Sequence, residues 1–335
     1  MKLKKKHYFI GIIVLVCLIL AYHFYAAYQA EQQIDTAIQE QTSKMKNISV
    51  QYSSINIAPF VGKVSIDDLT FILGNNIERA QKLQFRASYI DFLNIYIGGI
   101  KYGLQNLDRA QITLTRPSYV NQSNLEEVKA DTLHITYNGN ALDGLQSAIN
   151  GIPFNSPQEI DAHSSGLIFQ FPNTTLYKLT AKNFSYSGMI KSGMQNFWTN
   201  GTHQFGMDSL TWTPSQSFQD SYSFFIKGFG YDTDAIPFKS AHLNYEPASQ
   251  PRTIHVESTI KSDLALVSGS GAIQLKKPFG QSKLENMGIS ITEFSQKFSR
   301  VIKNMEKLLS VSLNSDNQGI TLKLDGTVAN PHIVK

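Results

Sequence analysis

The chain has 335 residues, a formal net charge of +4 and a single cysteine. One cysteine excludes a disulfide scaffold. Four lysines within the first six residues account for the excess charge, so the near-neutral remainder disfavours nucleic-acid binding.

The first element in chain order is an apolar stretch from His7 to Ala27, preceded by a basic tail over residues 1–6. At about 1.5 Å per residue, a helix of this length matches the hydrocarbon thickness of a bilayer, so the sequence predicts one transmembrane helix. The lysines before it predict a cytoplasmic N-terminus. A cleaved signal peptide is the alternative, but no A-x-A pair stands between Ala21 and Ala30. We expect a single-pass protein of the bacterial inner membrane, with the bulk of the chain in the periplasm.

Residues 28–46 carry Ile34, Ile38 and Met45 at helical spacing. This spacing predicts a helical stalk that continues the membrane helix, with a flexible linker as the alternative because the apolar stripe is thin. After Asn47 the apolar residues alternate as they do in strands. We therefore expect a β-rich periplasmic domain over residues 47–335, which agrees with the high content of phenylalanine and tyrosine.

A short phrase recurs six times in this β-rich part. It consists of a small or apolar residue, two mostly polar residues, an apolar residue, a polar residue, and an apolar or aromatic residue. Its fourth and sixth positions share one face of a strand, since strand side chains alternate. The fourth positions are Leu69, Leu83, Leu133, Phe184, Leu210 and Leu243. The intervals between copies are unequal, which indicates one strand type reused in an antiparallel sheet and not a strict solenoid.

The apolar face shared by these strands must be covered or must line a groove. A sheet packed on itself, as in a sandwich or barrel, is one interpretation. A partly open groove for an apolar ligand is the other. The sixth positions of the phrase are the candidate lining of such a groove: Phe71, Phe85, Ile135, Tyr186, Trp212 and Tyr245.

Near the C-terminus the spacing becomes helical again, with Phe294, Phe298 and Val301 on one stripe. The pattern predicts one amphipathic helix at about residues 291–310, and Ser290 and Glu293 form a possible capping box. The opposite side of this helix is basic, so a helix on the membrane surface is the alternative. The narrow stripe favours a helix that packs on the sheet.

The chain contains no sequence motif of a common catalytic class. H-E-x-x-H, G-x-S-x-G and P-loop motifs are missing, and Gly228-Phe229-Gly230 lacks the third glycine of a dinucleotide site. The exported histidines never stand two to four residues apart: His134, His163, His203, His242, His255 and His332. We therefore expect no catalytic residue, no metal site and no cofactor. An enzyme built from residues distant in sequence is a third alternative.

Both ends of the chain resemble a known family. The ending Ile320-Thr321-Leu322-Lys323-Leu324-Asp325-Gly326-Thr327-Val328-Ala329-Asn330-Pro331 is similar to the terminal strand, Gly-Thr and Pro phrase of AsmA-like envelope proteins. The anchor, the stalk, and the segments 50–55 and 62–66 resemble the opening of AsmA-like and YdgA-like inner-membrane proteins. The resemblance covers mainly the first hundred and last forty residues. It implies a β-rich, groove-forming periplasmic domain associated with envelope lipid homeostasis or outer-membrane assembly, without catalytic residues.

These observations favour a non-catalytic envelope protein whose apolar sheet face contacts lipid or another apolar component. The alternative is an assembly or scaffold protein with a closed β core that binds other envelope proteins. The two hypotheses differ in whether the recurring apolar face is open.

Overall fold

A computed structural model describes residues 27–29, 31–32, 34–36, 38–40, 47–58, 61–309 and 319–334, with side chains at all of these except 93, 95–97, 100, 149 and 304–309. The predicted tail and transmembrane helix, residues 1–27, lie outside the described residues apart from Ala27. Within the described ranges, no helix combines the length and the hydropathy needed to cross a bilayer.

The described chain is mostly β, and its strands pair antiparallel, as the sequence predicts. The strands are β1 (Ile48–Gln51), β2 (Ser54–Ala58), β3 (Lys63–Leu73), β4 (Asn76–Arg86), β5 (Arg109–Thr115), β6 (Ser118–Asn121), β7 (Glu126–Lys129), β8 (Thr132–Asn138), β9 (Gln158–Phe171), β10 (Tyr177–Ile190), β11 (Thr202–Thr213), β12 (Ile236–Pro247), β13 (Thr253–Lys261), β14 (Leu266–Gln274), β15 (Lys283–Thr292), β16 (Ile320–Gly326) and β17 (Pro331–Val334). The helices are α1 (Tyr89–Asn106), α2 (Ala141–Asn150), α3 (Phe197–Asn200), α4 (Gln216–Gly228) and α5 (Gln296–Leu309).

The sheet is a meander in which strands lie beside their sequence neighbours. β5 and β6 both pair with β4, so together they act as one interrupted strand. β7 and β8 both pair with β9 and form a second interrupted strand. Because neighbouring strands run in opposite directions, the connections alternate between the two ends of the strands. Helices α1, α2 and α3 lie at one end, here called the α1–α3 end. Helices α4 and α5 lie at the other, the α4–α5 end.

A kink crosses the sheet from strand to strand. Asp68, Gly166 and Ser209 each have a positive φ in the middle of a strand, at 52°, 62° and 53°. The register of the ladder omits these three residues. The partner strands skip one residue at the same place, namely Gln81 in β4 and Lys182 in β10. Side-chain alternation is therefore interrupted, and apolar residues three apart across the kink face the same side.

The kink explains the recurring phrase. In β3, β4, β10 and β11 its first and fourth positions lie on either side of the kink. Ala80 and Leu83 of β4 do so, and both side chains face the same groove. In β12 the skipped residue, Lys239, precedes the copy that begins at Ser240. The fourth and sixth positions then alternate normally along the strand. Leu83 is aligned with Leu114 of β5, which is aligned with Leu133 of β8. The phrase is therefore the sequence signature of a kinked strand with one apolar face.

The helices depart from the sequence prediction. A single helix was expected in the β-rich part, whereas α1, α2, α3 and α4 are additional to α5. Helix α5 lies in the predicted region but begins later, and the expected capping box is wrong. Ser290 belongs to β15 and Glu293 pairs with Lys261 at 3.0 Å. The Ser295 hydroxyl accepts the hydrogen bond from the Phe298 N–H instead, at 3.1 Å.

The described residues between 27 and 40 are helical and lie along β2. The Glu31 carboxylate accepts a hydrogen bond from the Ile57 N–H at 3.2 Å, and the Asp35 carboxylate accepts one from the Tyr52 hydroxyl. Burial and this bond to Asp35 raise the pKa of Tyr52 to about 12. Ile57 lies next to the residue that ends β2 at the α1–α3 end. With falling residue number, the helical segment therefore runs towards the α1–α3 end.

Candidate functional site

Strands β3 to β10 form an apolar groove with a volume of about 480 Å³. This volume lies within the range of about 300–1,000 Å³ that is usual for small-molecule sites. The apolar and aromatic lining residues are Leu69, Phe71, Ala80, Leu83, Leu114, Pro117, Tyr119, Val128, Ala130, Leu133, Leu167, Phe169 and Phe184. The polar lining residues are Glu78, Arg79, Ser118, Lys129 and Ser164.

Apart from Leu167, the large apolar side chains of the groove are only partly buried. Leu83, Leu133 and Phe184 all retain contact with solvent, whereas a closed core buries leucine and phenylalanine. Leu167 forms a buried cluster with Ala181 of β10 and Leu210 of β11, which lie beside it in the ladder. The apolar face thus combines a packed region at β9 to β11 with an uncovered apolar surface.

Ser164 is a buried polar side chain inside this apolar groove. It is 6% exposed, and its hydroxyl has no hydrogen-bond partner among the described residues. In the ladder it lies between Leu133 of β8 and Phe184 of β10. A buried hydroxyl without a partner costs about 1–3 kcal/mol, so this position suits a ligand that carries a hydrogen-bonding group.

The structure places the six predicted lining residues on the apolar face, but they do not all line the groove. Phe71 does. Phe85 packs against Phe92 of α1, with ring centroids 6.3 Å apart. Ile135 lies between Ile112 of β5 and Ala162 of β9 in the ladder.

Tyr186 and Tyr245 belong to an aromatic cluster beneath α3, at the α1–α3 end. The cluster surrounds His203, which is fully buried. His203 Nδ1 accepts a hydrogen bond from the Tyr186 hydroxyl, and Nε2–H donates to the Phe197 carbonyl, both at 2.9 Å. The rings of Tyr245 and Trp198 stack on the imidazole at 4.5 and 5.3 Å. Burial lowers the pKa of His203, so the imidazole is neutral and structural.

Trp212 is packed at the opposite, α4–α5 end of the same face. Its ring lies 5.1 Å from that of Phe218 in α4, and its Nε1–H donates to the Leu176 carbonyl at 3.0 Å. Helices α1, α3 and α4 therefore cover predicted lining residues near the strand ends. The exposed part of the face lies between them.

Sequence reasoning missed several residues that do line the groove. Leu114, Val128, Leu167 and Phe169 stand outside the six copies of the phrase. The sequence signal for these residues was weaker than the recurring phrase. It consists only of alternation, since Leu167 and Phe169 alternate with residues of the opposite face within β9. Alternation alone does not say which face of a kinked strand a residue occupies.

Within the described part of the chain, no three metal-ligating side chains come together. His134 and His163 are partners in the ladder on the polar face, and both are exposed. Burial alone would raise the pKa of Asp143, but hydrogen bonds from Asn155 and Ser156 hold it below its usual value. This carboxylate ties the loop after α2 to the helix.

The groove is thus an apolar, half-open site with a buried hydroxyl in its wall. Its chemistry suits non-covalent binding of an amphiphile, because apolar surface dominates and polar groups are few. Neither a scan against protein-family models nor a search of the curated proteins finds a match for this chain.

Proposed function

We propose that this chain is a non-catalytic protein of the bacterial cell envelope that holds a lipid acyl chain in its groove. Residues 7–27 anchor it in the inner membrane, and the β-rich domain works in the periplasm in lipid homeostasis. The observation that carries the proposal is the half-open row of Leu83, Leu114, Leu133 and Phe184 along the groove. Covering such surface with an acyl chain contributes about 25 cal/mol per Å² of apolar area removed from water.

The polar groups of the groove support a lipid over a plain hydrocarbon. Ser164 offers an unused hydroxyl deep in the wall, which would bond an ester or hydroxyl oxygen of the ligand. Glu78, Arg79 and Lys129 contribute charge to the lining. A ligand with an apolar chain and a polar group satisfies both parts of the site.

The location is supported by sequence. The apolar stretch from His7 to Ala27 has the length and flanking lysines of an inner-membrane anchor. The resemblance of the chain's two ends to AsmA-like and YdgA-like proteins supports the same location and a role in envelope lipid homeostasis. The described β-rich fold is compatible with this proposal.

Photocrosslinking tests the groove directly. The full-length chain is placed in vesicles of phosphatidylcholine that carries a diazirine in one acyl chain, and crosslinked peptides are identified after illumination. We expect crosslinks on β4, β5 and β8. Ala130→Trp fills the groove without adding polarity, and Leu133→Gln makes its wall polar, so both should reduce these crosslinks severalfold.

Ile168→Gln is the matched control for Leu133→Gln. Ile168 is also half-buried and aliphatic, but it follows the groove residue Leu167 and therefore points to the other face. It should leave the groove crosslinks unchanged. Folded variants that crosslink like the unmodified chain would contradict the proposal. If Ala130→Trp and Leu133→Gln unfold the domain in thermal melting while Ile168→Gln does not, the face is a closed core and the scaffold hypothesis is preferred.

A further inference from the structure

Both ends of the strands expose large apolar side chains. At the α1–α3 end, Val61 and Ile90 are 68% and 67% exposed. At the α4–α5 end, Leu125 and Phe224 are 62% and 82% exposed. Exposed apolar side chains alone therefore do not say which end meets a partner.

The path of the N-terminal helical residues distinguishes the two ends. Asp35 contacts Tyr52, and Glu31 contacts Ile57 beside the β2–β3 turn. With falling residue number, the described turns of this helix thus lie nearer the α1–α3 end. The next turn back reaches Ala27, where the apolar stretch from His7 ends. At about 1.5 Å per residue, four residues advance the helix by only ~6 Å, so this stretch is attached close to that end.

The side chains at the α1–α3 end have the composition of a membrane interface. The exposed set includes the interfacial residue types Tyr89 and Tyr102 in α1 and Trp198 in α3. Exposed cations accompany them: Arg86, Lys101, Arg109 and Lys191. Asp108 is an exposed acidic residue among them. Aromatic rings and basic side chains together favour the headgroup region of an anionic leaflet.

We infer that the α1–α3 end lies on the surface of the same bilayer that carries the N-terminal anchor, with Val61, Ile90 and Trp198 inserted among the headgroups. This inference rests on the proposed membrane anchor. The domain then contacts the leaflet through its own side chains, in addition to being anchored in it by residues 7–27. The strands then stand upright on the membrane, with the α4–α5 end directed away from it.

Site-specific fluorescence tests this orientation. In a Cys17→Ser background the full-length chain has no other cysteine, so Val61→Cys, Ile90→Cys, Leu125→Cys and Phe224→Cys each provide one labelling site. Each is labelled with an environment-sensitive nitrobenzoxadiazole dye. The labelled chains are reconstituted in vesicles of phosphatidylcholine and phosphatidylglycerol. All four positions are exposed, so the labels should not disturb the core.

We expect blue-shifted emission, and quenching by headgroup-labelled nitroxide lipid, at positions 61 and 90 only. A shift at 125 and 224 instead, at all four positions, or at none overturns the inference. Flotation of the vesicles reports the anchor separately, and a chain that does not float overturns both the anchor and the orientation. Diazirine crosslinking of the same samples reports groove occupancy. If the groove gives no crosslinks while the dyes give the expected pattern, lipid binding in the groove is refuted and the orientation is still supported.

Discussion

Two buried polar side chains on the apolar face have opposite bonding states. His203 uses both ring nitrogens and is surrounded by aromatic rings. The Ser164 hydroxyl, only 6% exposed, has no partner among the described residues. The first arrangement stabilises the fold, whereas the second is costly unless a ligand completes it.

Ser164→Ala should separate stability from lipid binding. Removing the unsatisfied hydroxyl should raise the free energy of unfolding of the lipid-free protein by about 1 kcal/mol. The same change should lower the yield of lipid crosslinks, because the ligand loses a hydrogen-bond donor. Chemical unfolding in detergent and the diazirine assay measure the two effects. Ser185→Ala, an exposed serine on the polar face, is the control and should change neither; equal crosslinking yields in all three chains would refute the role of Ser164.

His203 should make the domain less stable in mild acid. Its pKa in the folded state is lowered by burial, so below the ordinary value of about 6.5 the unfolded chain binds the proton first. The free energy of unfolding is therefore fully present above that pH and falls as the pH drops towards the folded-state pKa.

The His203→Phe variant tests this pH dependence. It keeps a ring but leaves the Tyr186 hydroxyl and Phe197 carbonyl without their partner, which should cost about 1–3 kcal/mol at neutral pH. Its free energy of unfolding should change less than that of the unmodified chain between about pH 7 and pH 5. Denaturant titrations across this range provide the measurement. Parallel pH profiles would show that His203 is not the titrating group.

At the scale of elements, the strands with one apolar face and helix α5 were predicted, whereas the kink and helices α1 to α4 were not. The phrase in β4, with Ala80 three residues before Leu83, records both the kink and the apolar face. In helix α1 the apolar residues from Tyr89 to Ile100 are interrupted by Asp91, Asn94 and two glycines, so no clear helical period stands out. Helices α1, α3 and α4 cover Phe85, Tyr186 and Trp212. For this reason the predicted lining and the observed lining agree on the face but differ on most residues.

Gly62, in the turn before β3, lies very close to the backbone between β4 and α1. Gly62 and Gly74 both have a φ of 58°. A Cβ on Gly62 would collide with the Ala87 carbonyl between β4 and α1, whereas a Cβ on Gly74 would meet nothing within 4 Å. Alanine at either position carries a left-handed penalty of about 1–2 kcal/mol.

Gly62→Ala should therefore destabilise the domain more than Gly74→Ala. The difference should be about 1–3 kcal/mol, since the overpacked backbone must shift at the junction with α1. Thermal or denaturant unfolding of the two variants side by side removes the shared backbone penalty from the comparison. Equal losses would mean that the turn relaxes without cost.

At the scale of the whole molecule, the sequence led to a mostly antiparallel β protein with one apolar face, and the structure has this architecture. The order of strands was not predictable, because alternation assigns faces and not neighbours. The groove depends on that order: Leu83, Leu114 and Leu133 come together only because β4, β5 and β8 are adjacent.

Because most strands pair with the strand before them, the sheet can assemble strand by strand during synthesis and can be extended by further strands. Because β9 to β17 each pair with the strand before them, each new strand meets a template that has already been synthesised, and assembly can proceed from the N-terminus. An added hairpin after β17 would widen the sheet by about 10 Å without altering earlier contacts. The architecture can thus be extended, because the width of the sheet depends on the number of strands.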